Sequence, residues 1–524
     1  MKKDVDLKKM SRAELEQKYI ELATKNEALS QENQWYREQI KLQQKKLFGR
    51  TSEKENINQI SLFDEAEIES TPLNDESNIT EVKSCKRNKK TKKLSPDDLK
   101  QTTIDYTLSD DECICPKCGN KLHEMSTHVI KEIIFVEPKI EVINHVEHIY
   151  SCRYCENNDI EATIIKARGP EPLIKGSMAS ASLVANIIND KYVKALPLYR
   201  QEVSFKRMGI NINRQNMSNW LIRVAGGYFK PMIDYMYEQL LNMEYISADE
   251  TPVQVLHEPG RKSSSGKSYM WVYMSGRSEE KQMVLYNYEE SRRHEHAVNY
   301  LKKYKGTVLS DGYQAYDKID DIVQAGCWAH TRRYFKEALE LMPKGVKAED
   351  TQTYKCYSMI NKLFRIEKAS KKLSYEELKE IRQKKELPVV NEFFELIHNL
   401  EGRVLPKTHF GKAVIYASNQ EKKLRRYLED GRIEISNNVT ERAIKQFTIG
   451  RGNWLFMNTV RGAKASSWIY SLVESAKLNG LKPYDYINYL LSTLPGKDMS
   501  DRAILEEVMP WSKLPSKLYE TKKS

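Results

Sequence analysis

Apolar positions in the first fifty residues recur every seven, at Leu15, Leu22, Leu29 and Tyr36. Tyr19, Asn26, Asn33, Ile40 and Leu47 take the complementary positions. This heptad predicts a coiled coil over 1–50 that serves self-association. The two Asn at core positions cost stability but fix the register and favour two strands. A single amphipathic surface helix has the same spacing. The pattern breaks at Gly49 in "LFGRTSEK", and 51–99 carry no periodicity. That segment is acidic from Asp64 to Glu81, then strongly basic in "KSCKRNKKTKK", which has seven cations in eleven residues. It reads as a flexible linker whose cations are either solvated or in contact with phosphate.

Alternating runs "VIKEIIFVEP" and "KIEVINHVEHIY" predict a hairpin within 100–165. Residues 166–240 return to helical spacing. Within them a first helix is predicted to end near Met208, with Gly209 taking a positive φ. A second helix then carries Arg214, Gln215, Asn216, Ser218 and Asn219. This is helix-turn-helix spacing with an amide-rich second helix able to read base edges, and it is equally that of an ordinary helical hairpin. From Glu244, "EYISADETPVQVL", "SYMWVYMSG" and "QMVLYNY" predict an antiparallel meander. A helical stretch around His294 to Lys303 follows, then "GTVLSDGYQAYD" and "DIVQAGCWAHTRRYFKEAL", each a strand leading into a turn or helix. That order predicts a ribonuclease-H-like α/β core over 241–336 and 431–475. A helical insertion at 337–430 interrupts it, and a helical extension at 476–524 follows. The expected fold class is therefore multidomain α+β: coiled coil, zinc-ribbon-like segment, helical region and ribonuclease-H-like core.

Composition sharpens this outline. A chain of 524 residues is too long for one core. No run of 18 apolar residues exists and the N-terminus lacks an apolar signal region, so a cytoplasmic protein without a membrane partner is expected. The formal charge of +11 suits a polyanionic partner. Five of the eight cysteines fall between 113 and 155. Cys115-x2-Cys118 and Cys152-x2-Cys155 can each turn two thiolates toward one tetrahedral ion, so a structural Zn²⁺ is expected, with Cys113 and His123 as alternative ligands.

Two acids stand where a β-rich run gives way to polar residues, Asp249 after "YISA" and Asp311 after "TVLS". If those strands are neighbours, both carboxylates can converge on divalent cations, and a third from a helix beside the sheet would complete a two-metal site. The candidate is Glu441 in "SNNVTERAIKQF". Asn438 to Glu441 also has capping-box spacing, so Glu441 is either a helix-start carboxylate or a metal ligand. Composition and spacing do not choose between them.

The words of the chain do. "LFGRTSEK", "CPKCG" with its later Cys pair, "ADETPVQVL", "LSDGYQAY", "CWAHTRRYF", "EISNNVTERAIKQFTIGRGNWLF" and "SLVESAKLNGLKPYDYINYLL" resemble, in order, the landmarks of the insertion-sequence-66 family of bacterial DDE transposases. The resemblance spans essentially the whole chain. It implies Asp249, Asp311 and Glu441 as catalytic acids holding Mg²⁺ or Mn²⁺, and Cys115, Cys118, Cys152 and Cys155 as zinc ligands. His330 and Arg333 take supporting or DNA-contacting roles, with core packing an equal alternative for His330. Arg442 and Lys445 would lie near DNA phosphates. The implied activity is cutting at the ends of an insertion sequence and joining the 3′-hydroxyls to target DNA. The implied partners are the terminal inverted repeats, target DNA, a second or further copy of the chain, and accessory proteins of the same element. The implied place is the bacterial cytoplasm, at the nucleoid. The rival readings are a same-fold nuclease or resolvase without strand transfer and a repurposed DNA-binding protein.

Overall fold

A computed structural model describes residues 11–48, 140–146, 148–151, 164–166, 169–260, 267–342 and 346–520. The linker, Cys113, His123 and the four cysteines read as zinc ligands lie outside the described residues. The chain divides into two units, one of 76–171 with 520–524 and the other of 1–75 with 172–519. In the first, β1 (Ile149–Ser151) pairs antiparallel with β2 (Ile164–Lys166).

The second unit begins with α1 (Arg12–Phe48), a single helix of 37 residues. Leu15, Tyr19, Leu22, Leu29, Tyr36 and Ile40 are all exposed on it. Four helices follow: α2 (Ala181–Ile188), α3 (Leu198–Arg207), α4 (Arg214–Val224) and α5 (Lys230–Leu240). Asn213 starts α4 by accepting from the Asn216 N–H at 2.7 Å, and Gly209 makes the preceding turn at φ 84°, a conformation that glycine adopts without a Cβ penalty. Met217, Leu221 and Val224 bury one face of α4, leaving Arg214, Gln215, Asn216 and Asn219 exposed.

The centre is a five-stranded mixed sheet. Its strands are β3 (Tyr245–Val253), β5 (Ser268–Ser275), β6 (Val284–Glu289), β7 (Thr307–Ser310) and β8 (Val323–Gly326). The order across the sheet is β6-β5-β3-β7-β8. β3, β5 and β6 form the antiparallel meander, whereas β7 runs parallel to both β3 and β8. Between β6 and β7 lies α6 (His294–Leu301). After β8 come α7 (Trp328–Glu340), α8 (Gln352–Ala369), α9 (Tyr375–Ile381), α10 (Leu387–Leu400) and α11 (His409–Arg425). The chain returns to the sheet through α12 (Asn438–Trp454), β9 (Met457–Thr459) and α13 (Val460–Leu478). It ends in α14 (Pro483–Thr493) and α15 (Arg502–Val508). A short β4 (Val255–His257) pairs parallel with β9.

Side chains explain how this arrangement closes. β6 is an edge strand, and an edge with open N–H groups invites pairing with another chain. Ser471 and Ser475 of α13 accept from the N–H groups of Tyr286 and Val284 at 2.8 and 2.9 Å, standing where a further strand would. Behind β8, Trp328 is fully buried among Phe393, Phe394 and Tyr427, which ties α7 to the helices that follow. Arg382 is also fully buried. It donates to the carbonyls of Tyr427, Asp430 and Ile433 and pairs with Glu367 at 2.6 Å. The loop leading into α12 is thereby fastened to α8. Among the described residues no helix is long and apolar enough to cross a membrane.

Candidate active site

The two aspartates are brought together, but only Asp311 stands at a strand end: β3 runs on to Val253 because 249–253 keep pairing with β5, so Asp249 sits mid-strand. β3 and β7 pair parallel through Tyr245↔Thr307, Ile246↔Val308 and Ser247↔Leu309. The same offset carried two residues further puts Asp249 level with Asp311. Asp249 takes a hydrogen bond on Oδ1 from the Glu250 N–H at 2.7 Å. Asp311 takes one on Oδ1 from the Tyr313 N–H at 2.9 Å, and its own carbonyl accepts from the Tyr416 hydroxyl of α11 at 2.5 Å. Gly312 makes the turn between them at φ 89°, where a Cβ would lie 2.9 Å from the Gln420 side chain.

Glu441 reaches the same place from α12, and not as a cap. Asn437 precedes the helix, so Glu441 is its fourth residue, one beyond the capping-box position, and Asn437 makes no side-chain cap bond. The capping-box expectation is corrected for a physical reason: Asn437 stands at φ −83°, ψ 17° and not in the extended conformation from which a capping oxygen reaches the helix N–H groups, while its Nδ2 donates to the Ala248 carbonyl on β3 at 3.2 Å. Thr440 meets Ser247 of β3 at 2.5 Å. Ser247 and Asp249 share one face of β3, because side chains alternate along a strand. The start of α12 is thus seated on the residues flanking Asp249.

The electrostatics follow from this crowding. Burial pushes the Asp249 carboxyl well above the usual carboxylate range, and the charges of Asp311, Glu250 and Glu441 push it further. Glu441 is 1% exposed. His330 Nδ1 lies 3.4 Å from its Oε1, and Arg333 donates to its Oε2 at 3.4 Å. Burial, then the Arg333 charge, lower the His330 pKa to about 4, so its ring is neutral near pH 7. His330 and Arg333, singled out in "CWAHTRR", therefore meet Glu441 directly. Their neighbour Arg332 turns the other way, to Asn361 and Tyr357. Arg442 and Lys445 are half-buried on α12.

Several participants were not evident from sequence. Glu250, its side chain 2% exposed, pairs with Arg292 at 2.5 Å. Burial and the Asp311 charge raise it to about 7 against the pull of Arg292. The Arg292 guanidinium lies 4.0 Å from the centre of the Tyr313 ring, and the Tyr313 hydroxyl donates to the Arg292 carbonyl. Glu250 and Tyr313, whose N–H groups hold the two aspartates, are thus linked through one arginine. An acid following an acid in a strand was the available signal, but Arg292 had none. Cys327 is a buried thiol raised to about 12 by burial, then by Glu441. It accepts from the Asn437 N–H at 3.2 Å, and its sulfur, a His330 nitrogen and a Glu441 oxygen lie within 4.8 Å of one another.

Asp249, Asp311 and Glu441 offer the hard oxygen donors a divalent cation takes, and burial first, then the Asp311 charge, raises both Asp249 and Glu250. Their three carboxylates do not converge within 4.8 Å of one another; among the described residues the groups that do are Cys327, His330 and Glu441, and Glu289, Glu290 and His296.

Comparison with known proteins assigns the chain. Residues 176–465, more than half of it, match the description "Transposase IS66 family". The chain belongs to the IS66 transposase family. Further stretches match the same family's parts: 112–156 a "zinc-finger binding domain of transposase IS66", and 471–511 an "IS66 C-terminal element". Residues 35–104 match "Transposase C of IS166 homeodomain". These family segments make the chain a multidomain α/β protein with a helical N-terminal region, a zinc-finger domain and a mixed-sheet core. Family membership supports a transposase with DNA as its partner and with zinc and a divalent metal as its ions. Two relatives from Sinorhizobium fredii (strain NBRC 101917 / NGR234) are similar. "Uncharacterized protein y4qI" is 31% identical over 67% of this chain, and the match spans 65% of its own length, just under two thirds. "Uncharacterized protein y4jD" is 27% identical over 78% of this chain and 80% of its own length.

Proposed function

We propose that this IS66-family chain is the transposase of a bacterial insertion sequence. It binds the terminal inverted repeats, cuts at the element's ends and joins the resulting 3′-hydroxyls to target DNA. The observation that carries this reading is that Asp249 lies on β3 and Asp311 directly follows β7, its parallel neighbour, with the charges of Asp311 and of Glu441 on α12 both acting on Asp249. The core is ribonuclease-H-like. In support, three antiparallel strands are followed by two parallel ones, with the first strand at the centre of the sheet.

Asp249, Asp311 and Glu441 hold the Mg²⁺ or Mn²⁺ ions. Divalent cations bound there supply an activated water or hydroxyl and neutralise charge gathering on the phosphate. In the first step a water oxygen bonds to phosphorus as the 3′-oxygen at the element's end leaves. In the second, that 3′-oxygen bonds to a target phosphorus and the target's own 3′-oxygen leaves. One phosphodiester bond forms for each broken, so strand transfer needs no nucleotide hydrolysis and no covalent protein–DNA intermediate. Arg333 and the neutral His330 hold the buried Glu441 in place while a cation is absent. Arg442 and Lys445 meet the phosphates. Cys115, Cys118, Cys152 and Cys155 bind a structural Zn²⁺. That segment, the basic linker and the exposed amides of α4 engage the repeats, and the exposed heptad residues of α1 pair two subunits as a coiled coil.

The test is incubation of the full chain with labelled DNA carrying the element's ends, a target plasmid and Mg²⁺. One arm adds any accessory proteins encoded beside the gene. Joined products are expected. Cleavage without joining points to a nuclease or resolvase, and binding alone points to a repurposed DNA-binding protein.

A further inference from the structure

Helix α12 ends in a turn that costs conformational energy and presents apolar side chains to water. Leu455 stands at φ 64°, ψ −52°, and the Phe456 N–H closes onto the Trp454 carbonyl at 2.8 Å. Together these make a γ-turn with a positive central φ, the rare and strained form. A residue with a Cβ persists there only when its surroundings over-determine it, and here both flanks are fastened. Leu455 N–H donates to the Arg451 carbonyl at 2.8 Å, and Met457 N–H to that of Gln254 at 2.9 Å. β9 then pairs with β4. Arg451 itself donates to Thr251 Oγ1 at 3.1 Å and to the Pro252 carbonyl. The turn is therefore anchored to the end of β3, the strand that carries Asp249.

The result of that anchoring is exposure. Leu455 is 65% and Phe456 44% exposed, so the strained turn does not serve the core. The charge around it indicates what does occupy this surface. Residues 451–464 carry three cations, Arg451, Arg461 and Lys464, and no acid. An apolar tip on a cationic frame matches DNA at an opened base step: phosphates meet the cations, and an apolar or aromatic side chain stacks on an unpaired base.

We propose that Leu455 and Phe456 form a wedge that enters the DNA duplex, with Phe456 stacking on an unpaired base. This rests on the DNA-acting reading above. Fourteen residues of helix separate Leu455 from Glu441, roughly 21 Å at 1.5 Å per residue. That is roughly six base-pair steps at 3.4 Å each, so the wedge grips DNA beyond the point of cutting.

The experiment uses the full chain and two 40-base-pair duplexes of one sequence. In one, a 2-aminopurine is fully paired, and in the other it faces an abasic site. Wild type is expected to bind the second about tenfold more tightly and to change its fluorescence on binding. Leu455→Gly combined with Phe456→Ala keeps a turn that tolerates positive φ and removes the wedge. It is expected to lose that preference, to bind the paired duplex within twofold of wild type, and to melt no lower. Retention of the preference by the double variant overturns the proposal, as does a changed oligomeric state, which would make the turn a contact between copies. Binding of neither duplex by wild type overturns the DNA-acting reading itself.

Discussion

Asp249→Asn should stabilise the metal-free protein, although it removes a proposed ligand. Neighbouring strands lie about 4.8 Å apart, so Asp249 on β3 and Asp311, the residue after β7, are treated as charges roughly 5 Å apart. At an effective dielectric constant near 20, one such pair repels by about 3 kcal/mol. Glu250 and Glu441 add to the load on Asp249. Local relaxation trims the gain, so a net stabilisation of about 2 kcal/mol is expected from the near-isosteric amide. The sign with pH follows. Asp249 has a folded pKa above its unfolded one. Its protonated form therefore favours the fold fully below the unfolded value, near pH 4, and this contribution is lost as pH rises toward the folded value. The assay is thermal unfolding in chelator at pH 5 and pH 8, then with Mg²⁺ added. Wild type should lose stability between the two pH values and regain it with Mg²⁺. The variant should melt a few degrees higher at pH 8 in chelator and respond little to Mg²⁺. A lower melting point in chelator, or a Mg²⁺ shift equal to wild type's, would refute the reasoning.

Three further outcomes are expected. Arg382→Met leaves three carbonyls and Glu367 without their buried donor. It should cost about 3–5 kcal/mol in denaturant unfolding, and a loss below about 1 kcal/mol would contradict the anchoring role. Gly312→Ala forces a Cβ against Gln420 at positive φ and should reduce DNA cleavage at least tenfold, measured on labelled ends, while circular dichroism stays unchanged. Metal analysis of the full chain should find about one zinc, lost on Cys115→Ser; an unchanged zinc content would dismiss the four-cysteine assignment.

The sequence was most legible where a local rule and the tertiary context agree. Short β-rich runs between Gly, Ser and Lys turns marked the β3–β5–β6 meander, and Gly209 marked a turn between two helices. Residues that act across long separations left no pattern. Nothing in "ESRRHEH" sets Arg292 against Glu250, and no periodicity announces that Tyr416, over a hundred residues from Asp311, donates to its carbonyl. The three-residue strands β4 and β9 are too short to alternate visibly. Glu441 was read as a choice between two roles. The local capping-box spacing misled because Asn437, not Asn438, precedes the helix and is not in the extended conformation of a cap. Only the seating of α12 on β3, through Asn437 on the Ala248 carbonyl and Thr440 on Ser247, could show that the residue lies near Asp249.

The central claim is that Asp249, Asp311 and Glu441 jointly hold divalent cations. Titration of Mn²⁺ into the metal-free full chain, followed by electron paramagnetic resonance, tests it without depending on any DNA substrate. The account predicts about two bound Mn²⁺ per chain, with binding weakened at least tenfold by each of Asp249→Asn, Asp311→Asn and Glu441→Gln. Undiminished binding in Glu441→Gln would contradict it.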